Sequence, residues 1–424
     1  MINTFIQKAR LLLEDPVMRK RIYFVIFALL LSRILAVIPI PGIDPVRLAE
    51  FFTQNQFLGL INIFTGGGLA TLSIVMLGVG PYITGSIIMQ LVTVISPKLK
   101  AMYQEEGEAG RKKFAQYSRM ISVPLALLQA FGFLTLLGRQ GVLPQLGGLS
   151  MLVNIVIITA GSVLLMWIGE LISEYGVGNG VSLIILAGII AGLPQSVGQL
   201  LISFQTGDIP VYLAFLVAAA LIILGVVIVT EAERPIPVTY AKRVRGNKIY
   251  GGLSTYLPIR INQAGVIPII FALSILLFPQ MIFNFFNASS NAIIQEVSRF
   301  GTQILSNQWF YGIAYFVLIF LFTYFYTAVT FDPDQMANNL QKNGAFIPGV
   351  RPGPSTSEYV AKILTRLTLV GAVFLGIIAV LPLVMRALTG IQAFAIGGTA
   401  LLIVVSVVLD LVKKLDAQVT AREY

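Results

Sequence analysis

The sequence predicts an all-α integral membrane protein of about ten transmembrane helices, in two inverted five-helix halves with a cytoplasmic β-hairpin loop. Three observations lead there. Apolar stretches long enough to cross a bilayer recur along the chain. Lys and Arg collect in alternate connections. The middles of the spans carry almost no charge. Of the 424 residues, 56% are hydrophobic and 11% charged, against about 25% charged in soluble domains. A core this apolar leaves too little polar surface to face water, so lipid is the expected solvent.

A helix needs about 20 apolar residues to cross the hydrocarbon. Ten runs meet that need: 22–38, 70–95, 119–138, 151–171, 181–202, 210–230, 263–284, 308–330, 362–385 and 391–412. The first follows Lys8, Arg10, Arg19, Lys20 and Arg21, as in a secretory signal. It is longer than a usual signal core and no small-residue cleavage pattern follows, so it reads as a retained span. Orientation comes from charge. Basic residues gather before span one, between spans two and three (Lys98 to Arg119), between six and seven (Arg234 to Arg260), between eight and nine (Lys342 to Arg366), and after span ten (Lys413, Lys414, Arg422). Only Arg47, Arg139, Arg299 and Arg386 fall in the other connections, and Arg33 lies inside span one near its outer end. Basic loops stay inside, which puts both termini in the cytoplasm and requires an even number of spans.

Ten spans divide into two sets of five, and an odd-numbered unit inverts when duplicated. The expected organisation is a cytoplasmic segment 1–21, a first half 22–202, a second half 203–412 with cytoplasmic loops 231–262 and 330–361, and a tail 413–424.

Composition removes several chemistries. The chain has no Cys and no His, so thiolate sites, imidazole catalysis and His-ligated metals are excluded. Glu170 and Asp410 sit near the cytoplasmic ends of their spans, and no carboxylate has to lie at the midplane, where ion-coupled pumps place theirs. Neither G-x-S-x-G nor a paired intramembrane Asp occurs. No enzyme, metal or cofactor is expected.

Four features carry the functional reading. Leu58–Phe64 is weakly apolar and runs into Thr65-Gly66-Gly67-Gly68. Three glycines do not hold a stable helix, so the region reads either as a half-inserted element or as an outer loop with a glycine turn. Ile83 and Ile87 stand one helical turn apart, as do Ile185 and Ile189; Ile270 follows Pro268, and Ile403 follows Gly397-Gly398. Such residues form either a hydrophobic constriction or ordinary packing, and spacing alone leaves both open. Between spans six and seven, Pro235 to Arg243 alternates in character and Gly246-Asn247 offers a tight turn, a β-hairpin with Lys242, Arg243 and Lys248 toward its tip. Pro235 and Pro237 point to an edge position. Pro348 to Pro354 sets Arg351 on a rigid turn. Basic loops can reflect topology alone, but a protruding hairpin also suits docking of an acidic or RNA-rich partner.

These residues resemble the SecY family, the pore subunit of the bacterial protein-translocation channel. The matching runs are NIFTGGG at 62–68, GPYITGSIIMQ at 80–90, EGEAGRKK at 106–113, GVGNG at 176–180, AGIIAGLP at 187–194, YAKR at 240–243, AGVIP at 264–268 and GAFIPGVRPG at 344–353. The resemblance implies an hourglass channel for unfolded secretory polypeptides that also releases apolar segments sideways into lipid. It places Ile83, Ile87, Ile185, Ile189, Ile270 and Ile403 in a pore ring. It places a plug at 58–69 with Leu60, Ile61, Asn62, Ile63, Phe64, Thr65, Gly66, Gly67 and Gly68. Gln90 and Asn262 fall at a lateral gate between spans two and seven. The hairpin and Arg351 become docking sites for the ribosome and the SecA motor, with small SecE and SecG subunits alongside, in the cytoplasmic membrane. Pro235 departs from the family pattern and bears on the first strand's register. Asp332-Pro333 replaces a common Asn-Pro as a neutral turn change. A small-solute secondary transporter is the competing class, and an assembly scaffold or insertase a third.

Overall fold

A computed structural model of the chain describes residues 15–41, 68–69, 71–139, 143, 147–202, 209–240, 243–245, 248–250, 254–286, 291–389 and 393–423. Helices dominate, and ten of them follow the ten expected spans: α1 Pro16–Leu35, α2 Gly80–Ile95, α4 Gly107–Arg139, α5 Gly148–Tyr175, α6 Gly180–Ile202, α7 Ile209–Glu231, α8 Ile267–Phe286, α10 Gln308–Thr330, α12 Pro354–Thr389 and α13 Ala393–Glu423. Three shorter helices lie between them: α3 Pro97–Gln104, α9 Ala292–Ser306 and α11 Pro333–Lys342. Among the described residues, α4, α5, α7, α10 and α12 are long and apolar enough to cross a membrane outright. The chain is a multi-pass helical membrane protein.

Several helices outrun their apolar stretches. α1 begins at Pro16, where the Asp15 carboxylate accepts a hydrogen bond from Val17 N at 2.8 Å. α4 begins at Gly107, α12 at Pro354, and α13 runs on to Glu423. Every extension lies at the basic ends. Apolarity measures the lipid-embedded part of a helix, while the hydrogen-bonded ladder continues into water wherever no breaker intervenes.

Span two needs correction. Residues 71–79 are not helical; the helix starts at Gly80, with Pro81 in its first turn, where a missing N–H costs nothing. The preceding backbone is a run of tight turns. Leu69 O, Ser73 O, Val75 O and Leu77 O each accept from the N–H three residues on, and Leu72 and Gly78 have φ of 41° and 57°. This irregular segment is buried in protein, as lipid-level backbone must be. Ile74 N donates to Ile38 O, Ile40 N to Leu72 O, and the Ser162 hydroxyl to Gly78 O at 2.8 Å. Leu69, Leu72, Met76 and Leu77 share an apolar cluster with Ala126, Ala130 and Leu134 of α4 and Ile158 of α5.

The helices pack in two matching sets of five. α1 packs on α5 and α6, α2 on α4, α4 on α5, and α5 on α6. α7 packs on α12 and α13, α8 on α10, α10 on α12, and α12 on α13. The second pattern is the first displaced by five spans, the relation expected of an inverted repeat. The sets meet along two seams: α2 and α4 against α8, with α2 also against α10, and α6 against α13.

At the basic ends sits a small three-stranded sheet of order β4-β1-β5: β1 Glu233–Tyr240, β4 Ser254–Arg260 and β5 Ala345–Phe346. Ile236, Val238, Ile259, Ala345 and Ile347 bury their apolar face against Val360, Ile363 and Leu364 of α12. The outer part of the hairpin forms a second ladder, β2 Arg243–Arg245 with β3 Lys248–Tyr250.

Candidate channel waist and docking face

The six isoleucines come from four helices. α2 supplies Ile83 and Ile87, α6 supplies Ile185 and Ile189, α8 supplies Ile270, and α13 supplies Ile403. In the repeat these helices are the second and fifth of each set. All six residues join one continuous apolar core at the meeting of the sets; Ile83 is half-buried at its margin and the other five are buried. Among the described residues, no Asp, Glu, Lys or Arg is buried. The helices close in at glycines. A Cβ on Gly85 would stand 2.9 Å from Ser118 O of α4, and one on Gly180 would stand 1.9 Å from Gly169 O of α5.

Charges are held at the basic end of the helices. Arg119 Nε pairs with Glu170 Oε1 at 2.9 Å, Lys413 Nζ with Glu231 at 2.9 Å, and Lys414 Nζ with Asp410 at 2.8 Å. Glu170 and Asp410 therefore have local partners near that side and leave the centre uncharged.

Gln90 lies on α2, and Asn262 lies just before α8, the helix that packs against α2. Gln90 Nε2 donates to Ser86 Oγ at 3.4 Å, and Asn262 Nδ2 to Gly265 O at 3.3 Å. The side-chain carbonyl oxygen of each is buried without a hydrogen-bond partner among the described residues. Both donors bond within their own segments, and Asn262 lies beside Gly371 of α12.

Of the predicted plug residues, Leu60, Ile61, Asn62, Ile63, Phe64, Thr65, Gly66 and Gly67 lie outside the described residues. Gly68 is described and buried. Its carbonyl accepts from Ser73 N at 2.9 Å and from the hydroxyls of Ser73 and Thr71.

The hairpin departs from its expected form in one respect: β1 is the middle strand of a three-stranded sheet, because β5 adds alongside its far end at Thr239↔Phe346 and Tyr240↔Ala345. The prolines still sit at an edge. Pro235 pairs with Pro258 and Pro237 with Tyr256, in unbroken register. Two prolines can face each other only at a non-hydrogen-bonded pair, so their nitrogens turn away from β4. That flank is bare, since β5 reaches only Thr239 and Tyr240. Arg243 pairs across the outer ladder with Tyr250, and Lys248 with Arg245, a register that leaves two residues for the turn. Lys242 lies outside the described residues.

Arg351 is exposed on the expected turn. Val350 N donates to Ile347 O, and the Thr356 hydroxyl to Arg351 O at 2.9 Å. Gly349 and Gly353 flank it with φ of 81° and 102°, a conformation that glycine adopts at no steric cost. Asp332 does more than turn the chain. Its carboxylate caps α11, accepting from Asp334 N and Gln335 N at 3.0 and 3.3 Å.

Sequence reasoning missed the small-residue contact at Gly161-Ser162. A Cβ at Gly161 would lie 2.1 Å from Ile74 O, so only glycine lets α5 touch the irregular segment. A Gly-Ser pair inside an apolar span is the signal of such close approach.

The fold is that of an all-α, multi-pass membrane protein whose basic residues and small sheet gather at one face. The SecY family model matches residues 73–412, and the chain belongs to the SecY family. It is 40% identical to the protein translocase subunit SecY of Mycobacterium tuberculosis H37Rv, covering 100% of this chain and 99% of that one. It is 43% identical to the SecY of Pseudomonas aeruginosa, covering 95% and 91%. Its fold is similar to a solved protein-conducting channel at a TM-score of 0.64 and 20% identity, covering 94% and 92% of the two chains. It is similar also to Sec61 in the canine ribosome-channel complex at a TM-score of 0.60 and 19% identity, covering 94% and 92%. The protein is a protein-translocation channel subunit, and the small-solute transporter reading is set aside.

Proposed function

We propose that the apolar core at the meeting of the two sets is the waist of the channel, closed by Ile83, Ile87, Ile185, Ile189, Ile270 and Ile403. The observation that carries this reading is that six isoleucines from symmetry-related helices enter one apolar cluster, in a protein whose described residues bury no charge. A passing polypeptide has no fixed charge, so an ionic lining would trap some segments. An apolar waist binds none strongly and resists water and ions when closed. Residues 58–69 act as the plug, carried on the tight turns at 71–79. The α2–α8 seam, with Gln90 and Asn262, is the lateral gate.

The halves divide near residue 202. The basic ends face the cytoplasm, both termini with them, in the cytoplasmic membrane. The chain performs no chemistry of its own and contains no nucleotide-binding G-x-x-x-x-G-K-[ST] run, so a motor or a ribosome supplies the drive. Lys242, Arg243, Lys248 and Arg351 form the docking face for the ribosome and SecA; SecE and SecG are the expected small partners.

The test is Ile87→Ser combined with Ile189→Ser, followed by single-channel recording in planar bilayers. Raised resting conductance is the expected result. A conductance equal to that of the parent protein rules out the ring.

A further inference from the structure

The proposed waist, plug, gate and docking face leave helix α9 out. It joins the far end of α8 to the start of α10, on the face opposite the β-sheet. Asn291 caps its start, and Asn307 both closes it and caps α10, accepting from Trp309 N at 3.0 Å and Phe310 N at 3.3 Å. A single residue therefore fixes the corner between the two helices. α9 seats on α8 at Gly301, where an added Cβ would stand 2.7 Å from the Phe283 ring, and Ser298 is buried on the same side.

The outward surface of α9 is divided. Ile293, Val297, Phe300 and Ile304 recur at the spacing of one helical stripe. Three of them are largely bare: Ile293 is 73% exposed, Val297 59% and Phe300 66%. Glu296, Arg299 and Gln303 form a second, polar stripe. Connectivity places α9 at the membrane boundary, since it links the ends of two spans. The apolar stripe continues into the lipid-facing surface of α10, where Trp309 is 63% exposed and Phe310 and Ile313 are also bare. Trp at such a level is the usual mark of the headgroup region. A spanning helix would bring Glu296 and Arg299 into hydrocarbon. A helix clear of the membrane would leave Phe300 and Ile293 in water.

We propose that α9 lies flat in the bilayer surface on the face opposite the sheet, its apolar stripe among the acyl chains and its polar stripe in water. Its partner is lipid. Because α9 is continuous with α8 and α10, and both pack against α2, it ties the helices of the proposed gate to the membrane surface.

The chain has no cysteine, so single cysteines report without background. Val297→Cys, Phe300→Cys, Glu296→Cys and Gln303→Cys, all at exposed positions, are nitroxide-labelled in the full-length protein. The labelled chains are reconstituted in phosphatidylcholine–phosphatidylglycerol vesicles. Collisions with oxygen, which concentrates in lipid, are compared with those of a water-soluble nickel chelate. The expected result is an oxygen-dominated ratio at 297 and 300 and its inversion at 296 and 303. Chelate access at all four positions overturns the proposal. Shielding of 297 and 300 from both reagents also overturns it, because that would mean another protein covers the stripe.

Discussion

At the scale of single residues, the close approaches decide most. Gly161 admits the backbone of Ile74 at a distance no Cβ tolerates. Gly161→Ala is expected to destabilise the protein by about 1–3 kcal/mol, the usual cost of overpacking, read as a lower midpoint of thermal unfolding in detergent. An unchanged midpoint would mean that α5 slides freely past the irregular segment. The resemblance singles out the six isoleucines where spacing alone does not, and all six belong to one apolar cluster. Other contacts were hidden because they join residues far apart in the chain. The donation from Ser162 to Gly78 O and the position of Gly161 over Ile74 follow from how α5 crosses the first half, which neither local run reveals.

At the scale of elements, the ten long helices were legible because apolar length is a local property and each span carries it by itself. Two kinds of element escaped. Residues 71–79 are apolar and read as the start of a span, but hydropathy reports the solvent a segment prefers and is silent on its φ and ψ. α9 is short and half polar, so it falls below any span criterion although its stripe is regular. The capped α11 offers a direct check. Asp332→Ala removes the acceptor for Asp334 N and Gln335 N and is expected to cost about 1 kcal/mol, whereas Asp332→Asn is expected to be near neutral, since Asn and Asp cap equally well. Hydrogen exchange at those two amides should quicken in the first variant and hold in the second. Equal protection in all three proteins would show that packing of α11 on α12, rather than the cap, holds the helix start. The hairpin teaches the same lesson in strands. Its alternation was visible in sequence, but its third strand, two residues contributed from more than a hundred positions away, was not.

At the scale of the whole molecule, the helix packing repeats and the basic residues concentrate at one face, the one proposed for docking. Arg351→Glu reverses the charge of an exposed side chain while leaving its supporting turn in place. ATP-driven translocation by reconstituted vesicles is expected to fall several-fold with no change in thermal stability, since reversing an exposed charge slows docking of an oppositely charged partner. Full activity in that variant would remove Arg351 from the docking face. The sheet that neighbours this turn has a further consequence. β1 emerges from α7 and β4 leads into α8, and the two chains are cross-tied at their base by Ile261 N donating to Ala232 O at 3.0 Å. On its other side this neck rests on α12, where a Cβ at Gly371 would stand 2.9 Å from Ile261 O. The sheet is thus a short lever with its fulcrum at the neck and the proposed gate helix as its opposite arm. A load on the sheet would pass to α12 through its buried apolar face and to α8 through residues 261–266, so the proposed docking face and the proposed gate share one mechanical support.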